Sequence, residues 1–198
     1  MNITVEKLIK AMSREGYPLF ENSEKPFNLN IIGVRSNDMT PNTFNDAICV
    51  LWKWKEGWNL YSAPATTDPG LYWLQNPMNV DGTFIIAKGH HKGLWKLGKH
   101  RGYPAFQQKG IVKGYRDADR DGEFDMDPSK LVEGIFGING HRAKDEGHSI
   151  NVGKWSAGCQ VWQYDDDHEM IIELAKKAVE HWGNSFSYTL LLESDLGS

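Results

Sequence analysis

The chain has 198 residues, 40% apolar and 24% charged, which is the length and balance of one globular domain, with or without a terminal extension. Its formal net charge of -4 argues against a general nucleic-acid binder, which needs a basic surface. No run approaches the length of a membrane span. Met1 to Lys10 lacks the apolar core of a signal peptide, and two cysteines do not make a disulfide scaffold. The expectation is synthesis in the cytoplasm.

Thr4 to Gly16 puts Val5, Leu8, Ile9 and Met12 on one helical face, with Thr4 as N-cap and Gly16 and Pro18 as the stop. Residues 17–46 read as loop with one strand at Asn30 to Val34. Residues 1–46 are therefore expected as an N-terminal helix and loop-rich extension, and 47–198 as the main domain. Ala47 to Lys55 reads as a strand with Cys49 buried in its apolar run. A disulfide from Cys49 to Cys159 is an open alternative. Glu56-Gly57 is a tight turn and Trp58 to Ala63 the hairpin partner. Asp68-Pro69-Gly70 is a turn, followed by strands at Leu71 to Gln75 and Thr83 to Ala87.

The glycines between 89 and 108 suggest a chain that bends often. The adjacent His90 and His91 would point to opposite faces of an extended strand, which argues against a shared metal. His100 and Arg101 are candidates to line a cleft, where the planar fork of Arg101 could meet a substrate carboxylate. A solvated loop is the other reading. Ile111 to Tyr115 is the next strand. Asp117, Asp119, Asp121, Gly122 and Asp125 then match the opening of a calcium loop. Pro128 stands where a bidentate Glu is expected, and Asp127 is the available substitute. The rival reading is an acidic turn held by its own backbone amides.

Glu133 to Asn139 leads as a strand into His141, and Ile150 to Val152 reads as another short strand. Asp165, Asp166 and Asp167 open a helix to about Trp182, complementing its positive N-terminal dipole. Its buried stripe is expected at Met170, Ile171, Leu174, Ala178 and Val179, and Gly183-Asn184 closes it. Phe186 to Glu193 is a final interior strand. Roughly ten short strands and two helices make an α+β domain, mainly β.

The chemistry concentrates between Phe136 and Gln163. His141 precedes Ser156-Ala157-Gly158-Cys159. A thiol becomes a strong nucleophile as thiolate, and a neighbouring imidazole is the usual means. A small residue and a Gly before the Cys leave its backbone open to a substrate carbonyl and to a developing oxyanion. Spacing alone leaves open a structural Cys and an unrelated loop His.

A His followed, some fourteen to eighteen residues on, by Ser/Thr-His-Gly-Cys resembles the signature of the L,D-transpeptidase (YkuD-like) catalytic domain. Thr66-Thr67-Asp68-Pro69-Gly70 is similar to that family's Thr-Pro-x-Gly segment. The resemblance covers about residues 60–163. Two positions depart from it: Ala157 replaces the family's His, and Val161 its Arg two places after the Cys. It implies a β-rich catalytic domain, Cys159 as nucleophile, His141 as base, and Gly158 and Cys159 amides in an oxyanion hole. Arg142 occupies the place beside the base, as an orienting group or as a cation that lowers the thiol pKa. Trp155 could wall the cleft and Ser156 could hold the loop or touch substrate.

The implied partner is the peptide stem of peptidoglycan, with action at the cell wall. The favoured expectation is a peptidase of endolysin type that needs no cofactor, calcium being the one candidate ion. The alternatives are a cross-linking transpeptidase, or a non-catalytic wall-binding or phage structural module.

Overall fold

The computed structural model describes residues 1–55 and 57–197. Strand residues (36%) outnumber helical ones (20%), so the domain is α+β weighted towards β. In order, the elements are α1 (Val5–Arg14), β1 (Asn30–Arg35), β2 (Asp46–Trp54), β3 (Gly57–Thr66), α2 (Leu71–Gln75), β4 (Thr83–Ile86), β5 (Gly89–His100) and β6 (Tyr103–Gln108). Then follow β7 (Val112–Asp117), β8 (Val132–Gly134), β9 (Gly140–Arg142), β10 (Gln160–Trp162), α3 (Asp165–Trp182) and β11 (Phe186–Leu192). Short 3-10 turns lie at Pro128–Lys130 and Glu193–Leu196.

Eight strands close a barrel in the order β1-β11-β5-β6-β9-β10-β3-β2, and β4-β7-β8 form a separate sheet. Within the barrel, β1 runs parallel to β11 and β9 parallel to β10. The first 46 residues thus supply a stave of the barrel: β1 sits between β2 and β11 and closes it.

Alternation along the strands makes two cores. From β1 and β2, Ile31, Ile48 and Val50 point into the barrel, where they meet Trp95, Phe106, Trp162 and Leu190. Their neighbours Ile32, Val34, Cys49 and Leu51 point outward against Leu8, Ala11 and Met12 of α1. Each such side chain removed from water contributes roughly 1.5–3 kcal/mol, which holds α1 to the barrel wall. Thr4 caps α1 as its sequence predicts, its Oγ1 accepting the Lys7 N–H at 3.2 Å. α3 packs with His168, Ile171, Ile172, Ala175 and Ala178 buried.

Several expectations are corrected. Leu71 to Gln75 is a helical turn: Trp73 and Leu74 donate to Gly70 O at 2.9 and 3.3 Å, and only Leu74 is buried. A four-residue apolar run, Leu71 to Leu74, fits either period, and here the local backbone bonds decide it. Residues 89–108 form two long paired strands, because β5 is bonded on both edges, to β11 and β6. Ile150 to Val152 is a loop; Ile150 is 77% exposed and Val152 N–H donates to Asn42 O. On α3, Ile171, Leu174 and Ala178 are buried as expected, whereas Met170 is 49% exposed and His168 and Ile172 are buried in addition. The β2–β3 hairpin forms as expected, with Trp54 paired to Gly57; Glu56, half of the predicted turn, lies outside the described residues. Cys49 is buried in β2 as expected, and both cysteines are free thiols.

Candidate active site

The loop between β9 and β10 carries the chain away from His141 and back to Cys159. The two strands are parallel neighbours with Gly140 opposite Gln160 and His141 opposite Val161. The ladder extends one residue further, where Gln160 N–H donates to Asn139 O at 2.9 Å. Since side chains alternate, Asn139, His141, Cys159 and Val161 share one face, while Gln160 and Trp162 share the other, inside the barrel. His141 and Cys159 are thus diagonal neighbours on the outer wall, with α-carbons about 8 Å apart by strand spacing and rise.

His141 is 3% exposed, and its Nδ1–H donates to Arg142 O at 2.8 Å. A carbonyl only accepts, so the proton is on Nδ1 and Nε2 carries the free lone pair. Burial first, and then the charges of His100 and Arg101, push its pKa down to about 4. The His100 ring stacks on it, centroids 4.1 Å apart and planes within 4°. His100 is held in turn: Asn139 Nδ2 donates to its Nδ1 at 3.3 Å, and Gln108 N–H donates to Asn139 Oδ1 at 2.8 Å.

Cys159 is half-buried, and its Sγ lies 3.5 Å from Gly137 O. Burial pushes the thiol up to about 11, against smaller downward pulls from the Asn139 backbone and Arg101. At rest the thiol and the imidazole on this face are therefore both neutral. Alkylation by iodoacetamide, followed by mass spectrometry in a Cys49→Ala background, should be slow at neutral pH and climb beyond pH 9. A fast plateau at pH 7 would contradict a protonated thiol.

The backbone around Cys159 is fixed from inside the barrel. Gly33 leaves room for Tyr188: a β-carbon there would lie 1.8 Å from the Tyr188 hydroxyl oxygen. That hydroxyl donates to Gln160 Oε1 at 2.6 Å, and Gln160 Nε2 donates to Gly158 O and Thr67 O, each at 3.2 Å. Gly158 itself has φ +117°, and a β-carbon would come 2.6 Å from Phe84 O. Gly158→Ala should cost about 1–3 kcal/mol in urea unfolding and speed Cys159 alkylation by loosening the loop. Unchanged stability would mean that the loop is not held this tightly.

Several expected roles change. The Gly158 N–H is spent on Ser156 Oγ at 3.1 Å, so it does not face an oxyanion. Ser156 is fully buried and its hydroxyl donates to Cys159 O at 2.7 Å, which makes it a loop fastener and not a substrate contact. The Arg142 guanidinium is turned from the thiol: it pairs with Asp145 at 3.0 Å and Glu169 at 3.5 Å and lies 4.4 Å over the Tyr103 ring. Its carbonyl orients His141, and the cation that acts on the thiol is Arg101.

A cleft of about 610 Å³ opens over this wall, lined by His100, Arg101, Tyr103, His141, Arg142 and Trp155 together with the 143–146 loop. Arg101 sits at the tip of the β5–β6 hairpin with φ +47°, where a non-glycine residue is strained. A second hollow of about 400 Å³ includes Phe84, Arg116, Phe136, Ile138 and Ala157. Cys159 lines neither. Asn139, Tyr103, Gln160 and Tyr188 were not singled out from the sequence. For Asn139 a signal existed, since it lies two residues before His141 in a predicted strand.

The Asp117–Asp125 loop lies apart from this wall. Asp117 is 1% exposed and accepts from Asp125 N–H, and burial with the nearby carboxylates pushes it up to about 6. Asp119 and Asp121 accept from Asp121 and Glu123 amides, the pattern of an Asx-held turn. Among the described residues no three His, Cys, Asp or Glu side chains converge to hold a metal. His90 and His91 diverge, the first 2.9 Å from Thr189 Oγ1 and the second donating to Ala87 O at 3.0 Å.

Compared with known proteins, the chain matches no family model, no curated protein and no solved structure. No helix among the described residues is long and apolar enough to cross a membrane.

Proposed function

We propose that the chain is a cysteine-dependent acyl-transfer enzyme that cuts peptide stems of peptidoglycan, in the manner of the L,D-transpeptidase-like domains its motif resembles. The observation that supports this most is the shared outer face of β9 and β10, with a tautomer-fixed His141 diagonal to Cys159. As the sulfur closes on a peptide carbonyl, its proton passes to His141 Nε2. The carbonyl becomes a tetrahedral oxyanion, the amine departs with the proton from His141, and a thioester remains. Water then releases the acid; an acceptor amine in its place would form a cross-link. The Gly158 amide is committed to Ser156, so oxyanion stabilisation falls to the Cys159 amide and to Arg101.

The test is digestion of purified sacculi, with released muropeptides followed by mass spectrometry and an added acceptor amine to separate hydrolysis from transfer. A wall-binding module without turnover is the second reading, favoured by the protonated thiol and the occupied Gly158 amide. It predicts sacculus binding with no muropeptide release.

A further inference from the structure

Behind the cleft, between α3 and the rim of the barrel, lies a smaller pocket of about 200 Å³ that no step of the acyl transfer uses. His168, on the first turn of α3, lines it and is 2% exposed, yet neither ring nitrogen has a partner among the described residues. Two more unpartnered buried nitrogens lie against it, Arg142 Nε and Trp162 Nε1. Arg142 and Trp162 are register partners on β9 and β10, and the Trp162 ring is 5.5 Å from that of His168. Polar groups buried in this way are normally hydrogen-bonded, and each left alone costs about 1–3 kcal/mol. Together with a neutral imidazole, Arg142 Nε and Trp162 Nε1 make three donors and one acceptor in one place. Burial first, and then the charge of Arg142, push His168 down to about 3, so its ring is neutral and offers one donor and one acceptor.

The rim differs from the floor. Glu169 and Glu173 stand at the opening, with Lys176 paired to Glu173 at 2.5 Å and Arg142 to Glu169 at 3.5 Å. The charged side chains balance, so a bare anion gains little net attraction. A ligand with an acceptor group at one end and a cation at the other is satisfied at both. The room equals roughly six waters at about 30 Å³ each, enough for a very small organic molecule.

We propose that this pocket binds a free amino acid of about alanine size, a small shift of His168 and Arg142 uncovering their buried nitrogens to its carboxylate, with its ammonium outward between Glu169 and Glu173. Because the Arg142 carbonyl also holds His141 Nδ1, occupancy is coupled to the candidate base.

The test is calorimetric titration of the full chain with L-alanine, acetate and methylamine, alongside His168→Phe and Glu173→Gln. The expected result is saturable alanine binding, with acetate and methylamine each at least tenfold weaker and both variants weakening alanine at least tenfold. Glu173 is largely solvent-exposed, so its variant keeps the test valid if His168→Phe fails to fold. Three results would overturn the proposal: no saturable binding of alanine, acetate binding as tightly as alanine, or alanine binding that both variants leave intact. None of these depends on turnover, so the site and the acyl-transfer chemistry stand or fall separately.

Discussion

Cys159→Ala should reduce muropeptide release from sacculi to the level of buffer, a loss of at least roughly a thousandfold. The sulfur is the atom that would carry the acyl group, and neither Ser156 nor Cys49 can take its place. Ser156 is buried with its hydroxyl committed, and Cys49 lies in the outer core with its thiol pushed up to about 11 by burial. His141→Gln should cost nearly as much, and the double variant little more than either single one, since the pair acts as a unit. The fold should tolerate Cys159→Ala, because the side chain is half-buried and its contact to Gly137 O is a weak one.

Turnover should also show an acid limb near pH 4. There the imidazole becomes charged and can no longer accept the thiol proton. Above that limb the rate should be flat through neutrality, since neither group changes state. Equal release by wild type and Cys159→Ala would remove the enzymatic proposal and leave the binding module.

Arg35→Met should destabilise the fold by about 3–5 kcal/mol at pH 7. Arg35 is 2% exposed at the end of β1. It pairs with Asp68 at 2.7 Å and donates to Thr67 Oγ1, Thr67 O and Ile86 O. Asp46, also buried, accepts from the Thr67 amide and hydroxyl at 2.7 and 2.8 Å. Removing the guanidinium strands two carboxylates where water cannot reach them.

The sign of the pH dependence follows. Burial raises Asp68 to about 7, so the folded state holds a proton there that the unfolded chain releases above about pH 4. A raised carboxyl gives stability that is lost as pH climbs through the folded pKa. The variant, with no cation to oppose the rise, should therefore approach wild type as pH falls from 7 towards 4. In both proteins, His91, His141 and His168 are held neutral with depressed pKa values of about 4, 4 and 3, and their contribution is lost as pH falls below about 6.5. That loss cancels in the difference. Urea unfolding of both proteins at pH 7 and 5 measures it, and a gap that widens on acidification would contradict the buried-carboxylate account. The same variant should loosen the nucleophile loop, because Thr67 O is shared between Arg35 and Gln160.

Much of this architecture is local and could be read early. The apolar run through Ala47 to Leu51 reads as a strand with Cys49 buried, and the structure divides its alternate side chains between two cores. Thr4 and Gly183 mark helix ends because a hydroxyl at an N-cap and a positive φ at a C-cap are local needs. Leu71 to Gln75 went the other way, since four apolar residues carry no period long enough to separate helix from strand.

His141 and Cys159 as candidates, the glycine before the cysteine, and the mainly β composition were legible in the sequence, because residue type, a short motif and the strand period are carried by single residues and their neighbours. The parallel register of β9 and β10, the direction in which Arg142 turns, and the gathering of Arg142, Trp162 and His168 under α3 came only with the tertiary structure. These depend on barrel closure: it pairs β9 with β10, and brings α3 across the rim, through long-range backbone bonds and side-chain packing that no local window of sequence contains.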